Sequence, residues 1–273
     1  MSLLVAPEDL SRELAFPKRP LLIDVRPAEN FCEDHLPGAV HLDLFGISSV
    51  DTSPAPLRAF FWIIEHLLAS RGVSNEVPVV VYDDTSGIRA ARIFWFLEFF
   101  GHPDTRVLDG GYQAWVARGL PVTQRAVKPV PTEWTGTRDA TILADWADVR
   151  DRLHAPGSVI LDTRSDGEYC GTSVRAARGG AIPGAVHLEW TNNLGPDGAF
   201  KPAAELKQMY ERAGVTPDTD VVTYCQGGYR AAHSYLALRL VGYPRVRNYI
   251  GSWKEWGDRA DLPIEHPKRL RPE

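Results

Sequence analysis

Two halves of this chain carry the same motifs in the same order, and that repetition constrains the fold more than any single segment does. Leu161-Asp162-Thr163-Arg164 repeats the pattern of Ile23-Asp24-Val25-Arg26 at an offset of 138 positions. Pro183-Gly184-Ala185-Val186-His187-Leu188 repeats Pro37-Gly38-Ala39-Val40-His41-Leu42 at 146, and Val221-Val222-Thr223-Tyr224 repeats Val79-Val80-Val81-Tyr82 at 142. Gly251-Ser252-Trp253 with Trp256 answers Gly110-Gly111-Tyr112 with Trp115 at 141, and Leu262-Pro263 answers Leu120-Pro121. One order with small drifts in offset is the signature of one fold used twice. The expected organisation is a first domain over residues 1–126, a linker over 127–140 whose prolines favour extended backbone, and a second domain over 141–273.

Within the first half, helical and strand patterns alternate. Residues 7–14 read as a short helix, Leu21 to Arg26 as a buried strand, and Val40-His41-Leu42 as a second strand after the Pro37-Gly38 turn. Phe60 to Ala69 has apolar residues at helical spacing, and Val77 to Tyr82 is the strongest strand, with Pro78 tolerable near its start. A helix from Ile88 to Phe100, a strand around Val107-Leu108, then Gly110-Gly111-Tyr112 and a helix through Trp115 follow. Strands alternating with helices predict an α/β fold, each domain a mostly parallel central sheet flanked by helices.

Composition removes several functions. A net charge of −5 leaves no basic footprint for nucleic acid. The three cysteines, Cys32, Cys170 and Cys225, form no CxxC pair, so neither a zinc site nor a disulfide framework is expected. No membrane span or signal peptide is expected, which points to a reducing cytoplasm, and no metal or organic cofactor is implied.

Chemistry concentrates in the second half, at Cys225-Gln226-Gly227-Gly228-Tyr229-Arg230. The β-prone run ending at Tyr224 precedes it and a helical run from Arg230 follows. Cys225 therefore falls where a strand ends and a helix begins. Amides of the turn and the helix dipole favour negative charge there, and a thiolate is the nucleophilic form of cysteine. Gly227 and Gly228 permit the curvature that aims several amides at one point, and Arg230 adds a permanent positive charge. A cysteine that merely packs in a core needs none of these neighbours. The repeat adds a control: Tyr82 aligns with Tyr224, so Asp83 stands in the place of Cys225, in a loop one residue longer before its Arg89. One nucleophile per chain is expected.

Taken together, the Asp-x-Arg strands, the Ile182-Pro183-Gly184-Ala185 turn, the Cys225 loop, the Gly-Ser-Trp segment and a first repeat whose equivalent loop lacks the cysteine resemble the tandem-domain rhodaneses, the thiosulfate and 3-mercaptopyruvate sulfurtransferases. The resemblance implies transfer of a sulfane sulfur through a Cys225 persulfide to cyanide or a thiol, with residues 226–230 as the cradle. An anionic donor calls for cations. Besides Arg230 these are Arg164, which also reads as an ion pair with Asp162 or Glu168, and Arg175 or Arg178 in an insertion longer than its counterpart in the first repeat. The loop lacks both the basic pair typical of thiosulfate enzymes and the small loop of mercaptopyruvate enzymes. Leu57 stands near where the latter carry a histidine, which tilts the reading toward thiosulfate.

Two rivals remain. A cysteine phosphatase would need a histidine before the cysteine and an arginine one place beyond Arg230. A non-catalytic binding module would not need Cys225. Among the other residues, Cys32 and Cys170 read as packing residues, His41 and His187 as structural, His233 as a partly buried polar contact, and Trp253 and Trp256 as core and pocket wall.

Overall fold

The computed structural model describes residues 2–268. Its contacts divide the chain into two compact units, each interrupted. One comprises residues up to Ile47, Ala59–Asp139 and Leu194–Phe200; the other comprises Ser48–Arg58, Ala140–Asn193 and the residues from Lys201 on.

The first unit contains β1 (Leu4–Val5), β2 (Leu21–Asp24), β3 (Val40–His41), β4 (Val79–Tyr82) and β5 (Thr105–Leu108). All pair in parallel, in the order β1-β5-β4-β2-β3. Its helices are α1 (Pro7–Leu14), α2 (Ala28–Glu33), α3 (Pro54–Ala69, whose first turn belongs to the other unit), α4 (Ile88–Phe99) and α5 (Gly111–Ala117). The second unit contains β6 (Leu143–Ala144), β7 (Ser158–Asp162), β8 (Val186–His187), β9 (Asp220–Tyr224) and β10 (Val246–Tyr249). These also run parallel, in the corresponding order β6-β10-β9-β7-β8. Its helices are α6 (Trp146–Asp151), α7 (Asp166–Tyr169), α8 (Ala203–Arg212), α9 (Tyr229–Leu240) and α10 (Ser252–Asp258). Two parallel five-stranded sheets, each flanked by helices, realise the expected α/β class.

The repeated motifs perform repeated structural tasks. Trp115 donates its indole N–H to the Pro121 carbonyl at 2.9 Å and Trp256 does the same to Pro263 at 2.8 Å, so the Leu-Pro match is a pair of anchored indoles. The phenol oxygens of Tyr82 and Tyr224 each accept an amide, from Leu36 and Ile182, both at 3.2 Å. His41 and His187 bond the Arg26 and Arg164 carbonyls at 2.8 Å, in keeping with their structural reading. Each sheet carries its own core, one around Val80, Leu108 and Trp115, the other around Val222, Tyr249 and Trp256.

Several details depart from the expectations. Helix α3 begins at Pro54 rather than Phe60, because proline is harmless in a first turn, where the missing N–H has no partner to lose. Strand β2 stops at Asp24, two residues early, because Arg26 turns back onto that aspartate. The linker is extended but not free. Thr132 donates its amide to the Ala69 carbonyl, Trp134 donates its indole N–H to Asn75 at 2.8 Å, and Gly136 donates to Glu65 at 2.7 Å. Cys32 is exposed and Cys170 half-buried, so neither is a core residue. The buried partner is Phe31 in one case, and Cys170 sits at the C-terminal cap of α7 in the other.

Candidate active site

Strand β9 is buried from Val221 through Tyr224, and its last side chain is bolted beneath the loop that follows. The Tyr224 hydroxyl donates to Asp162 at 2.5 Å. Asp162 is bound by the Arg164 guanidinium, with Nη2 at 2.6 Å, and Arg164 also donates to the Gly180 carbonyl at 2.7 Å while its guanidinium carbon lies 4.4 Å from the centroid of the Trp253 ring. This knot fixes where the strand ends.

Beyond it the chain turns through Gly228, whose φ of +85° is open chiefly to glycine, and enters α9 at Tyr229. The turn brings the Gly228 N–H to 3.1 Å from the Cys225 sulfur. The Cys225 backbone is pinned as well: its N–H donates to Ser252 Oγ at 3.1 Å, and its carbonyl accepts from Trp253 at 2.9 Å. Burial of the 1% exposed thiol opposes ionisation. The Arg230 charge and the Ala231, Gly227 and Gly228 amides outweigh it and hold the thiol pKa below its ordinary value. The sulfur is thus enclosed, and inward-facing N–H groups are what enclose it.

Arg230 itself is shared. Its two terminal nitrogens meet Glu168 at 2.6 and 2.8 Å, and Glu168 also receives Arg175 at 3.6 Å. Burial raises the Glu168 pKa, but Arg230 and the Ser165 bonds bring it down to about 2. Gln226 donates its amide to the Arg175 carbonyl at 2.8 Å, tying the insertion to the loop. Gly227 faces Ser48, whose hydroxyl lies 3.5 Å from its carbonyl. Tyr229, the first residue of α9, is buried.

Cys225, Gln226, Gly227, Gly228, Arg230 and Arg175 therefore converge, with Glu168 as the hub that sequence reasoning passed over as an anion binder's counter-charge. Arg164 and Arg178 lie apart from this cluster. Arg164 is 1% exposed and committed to Asp162, as Arg26 is to Asp24 at 2.8 Å in the repeat that carries Asp83 in place of the loop cysteine. Arg178 spends its guanidinium on the backbone carbonyls of Gly257, Leu262, Trp256 and Arg259.

The first unit supplies the comparison. Asp83 accepts the amides of Gly87, Arg89 and Ala90 at 2.9 to 3.1 Å, and its own carbonyl accepts from Tyr112 as that of Cys225 accepts from Trp253. The amide nest exists in both repeats, and only one holds sulfur.

A profile of the rhodanese-like domain matches residues 6–118 and again 145–259. The chain belongs to the rhodanese family. A thiosulfate sulfurtransferase of Pseudomonas aeruginosa is 35% identical over 268 residues, covering 97% of each chain. The sulfur carrier protein TtuD of Thermus thermophilus is 37% identical over 245 residues, covering 84% of this chain and 85% of its own. In fold, the chain is similar to the anaerobic ergothioneine biosynthesis enzyme of Chlorobium limicola, with a TM-score of 0.84 at 23% identity over 96% of this chain and 70% of that one. With curated relatives of this kind along nearly its whole length, this rhodanese is an enzyme of the sulfurtransferase type. Among its described residues no helix is long and apolar enough to cross a membrane.

Proposed function

We propose that this rhodanese moves the sulfane sulfur of thiosulfate to cyanide or a thiol acceptor through a persulfide on Cys225. The Cys225 thiolate attacks the outer sulfur of thiosulfate. A bond forms between the two sulfurs, the S–S bond of thiosulfate breaks, and sulfite leaves with the electron pair. The acceptor's carbon or sulfur then attacks the outer persulfide sulfur and the Cys225 thiolate is restored, so one hard transfer becomes two easier ones. Neither step needs a metal or an organic cofactor. The observation that carries this reading is the amide of Gly228 at 3.1 Å from a sulfur whose ionisation is favoured. Arg230 and Arg175 supply the charge an anionic donor requires. The cysteines are free, which fits a reducing cytoplasm as the working compartment.

The test is steady-state formation of thiocyanate from thiosulfate and cyanide by the purified protein, alongside 3-mercaptopyruvate as donor. Turnover with thiosulfate that disappears in Cys225→Ser is expected. Faster turnover with 3-mercaptopyruvate would reassign the donor, and no turnover with either would overturn the reading.

A further inference from the structure

The two repeats share a sheet topology, and some of the buried positions at which they differ lie beneath the Cys225 loop. In the second unit Thr223 of β9 stands opposite Asn248 of β10. In the first, the same register sets Val81 opposite Val107. All four side chains are at most 1% exposed. Valine fills this part of the sheet adequately, as the first unit demonstrates. A hydroxyl and a carboxamide at the same depth are costly unless something uses them.

The loop uses them. Asn248 Nδ2 lies 3.4 Å from the Gly228 carbonyl, and the Gly228 N–H is the one that meets the Cys225 sulfur at 3.1 Å. Thr223 Oγ1 lies 3.0 Å from the Ala231 carbonyl and 3.2 Å from that of Arg247, so its proton ties the first turn of α9 to the sheet. Asn248 Oδ1 is buried without a hydrogen-bond partner, an expense with no return in stability.

We infer that Thr223 and Asn248 are positioning residues for sulfur transfer: they grip the peptides of Ala231 and Gly228 from below and hold the adjoining N–H groups on the Cys225 sulfur. This rests on the sulfurtransferase reading above for its consequence in turnover, but not for its consequence at the thiol. Neither residue touches a reacting atom. Their effect runs through the geometry of the cradle, where small displacements of a donor weaken its hold on a developing anion.

The experiment grafts the first repeat onto the second. Thr223→Val, Asn248→Val and the double variant are compared with the parent by three measurements. These are the pH dependence of iodoacetamide alkylation at Cys225, followed by mass spectrometry of its peptide, thermal unfolding, and thiocyanate formation. The expected result for the double variant is an alkylation midpoint moved to higher pH and a kcat lowered by about tenfold with KM within about twofold. Its melting temperature should be equal to or above the parent's. Thr223→Ser, which keeps the hydroxyl, should restore the parental midpoint. An unchanged midpoint in the double variant overturns the inference. So does a large fall in melting temperature, which would make the pair a requirement of the fold, or a Thr223→Ser variant shifted as far as Thr223→Val. A parent protein that forms no thiocyanate would defeat the sulfurtransferase reading instead and leave the alkylation midpoint to decide the positioning role.

Discussion

Glu168 grips both terminal nitrogens of Arg230 with one carboxylate, at 2.6 and 2.8 Å, so the cation beside Cys225 is already half-neutralised. Replacing the carboxylate by an amide should leave more of the Arg230 charge to the thiol. Glu168→Gln is therefore expected to move the alkylation midpoint of Cys225 to lower pH. Its cost appears in stability. The Glu168 pKa is about 2 in the folded protein against an ordinary 4.5, so its contribution is fully present above pH 4.5 and is lost as pH falls toward 2. For a largely buried pair this is on the order of 2 kcal/mol at neutral pH. Urea unfolding of the two proteins from pH 2 to 7 checks it: curves that do not draw together as pH falls from 4.5 toward 2 would refute the assignment.

Asp83 sets the opposite sign. Burial, outweighing three amide donors, pushes its pKa from 3.8 up to about 6. The folded protein thus holds a proton between those values that the unfolded chain has released. The stability owed to this group falls as pH rises from about 4 to about 6 and is level above that. Asp83→Asn, which cannot titrate, should lack this slope whatever its constant offset. Denaturation midpoints for both proteins across that window test it, and parallel curves would count against a raised pKa.

How far could these relationships be read without coordinates? The repeat, the parallel α/β sheets and the strand–loop–helix junction at Cys225 were legible because each depends on local pattern, and Tyr224 with Tyr82 fixed the alignment that exposed Asp83. The destinations of the long cations were not. Arg178 reaches carbonyls some 80 positions away, on and after α10, a meeting that only tertiary packing creates. The two-residue strands β1 and β6 are too short for a period to show. Glu168 was visible as a possible partner of Arg164 and belongs to Arg230 instead, because Asp162, the last residue of β7 and only two positions before Arg164, claims it first. The signal that could have found Thr223, Asn248 and Ser252 was present. Aligning the repeats residue by residue sets them against Val81, Val107 and Gly111, polar against apolar or absent, in the half with the nucleophile.

Ser252 is the sharpest of these contrasts. Its φ is +53°, where its counterpart Gly111 has +60°, so a residue with a Cβ occupies backbone space that suits glycine. In return its hydroxyl accepts the Cys225 N–H at 3.1 Å and donates to the Tyr249 carbonyl at 2.7 Å. Strain held at a functional position is the natural account. Ser252→Ala keeps the strain and strands a buried N–H, and should cost about 1–3 kcal/mol of stability. Ser252→Gly strands the same N–H but relieves about 1 kcal/mol of strain, so it should be the more stable of the two while losing comparable activity. Thermal unfolding with thiocyanate assays decides the point, and a glycine variant less stable than the alanine one would remove strain from the account.

The four arginines offered to an anionic donor should part company under mutation, because they are held so differently. Arg164 is sealed against Asp162, and truncating one partner of a buried pair leaves the other charge uncompensated, at about 3–5 kcal/mol. Arg164→Gln should accordingly lower the unfolding midpoint severely, and whatever folds should bind donor with nearly the parental KM. Arg178→Ala frees four carbonyls around α10 and should also register first as lost stability. Arg175 is different: its side chain is 58% exposed and touches Glu168 only at 3.6 Å, an ion pair of little stabilising value. Its charge is consequently available. Arg175→Ala should leave unfolding within about 0.5 kcal/mol of the parent and raise KM for thiosulfate about tenfold, with kcat altered far less, as loss of uniform binding requires. The contrast is diagnostic because it is double. A stable Arg164→Gln with a raised KM would move the anion site to the buried arginine, and an Arg175→Ala with unchanged KM would leave Arg230 as the cation that meets the donor.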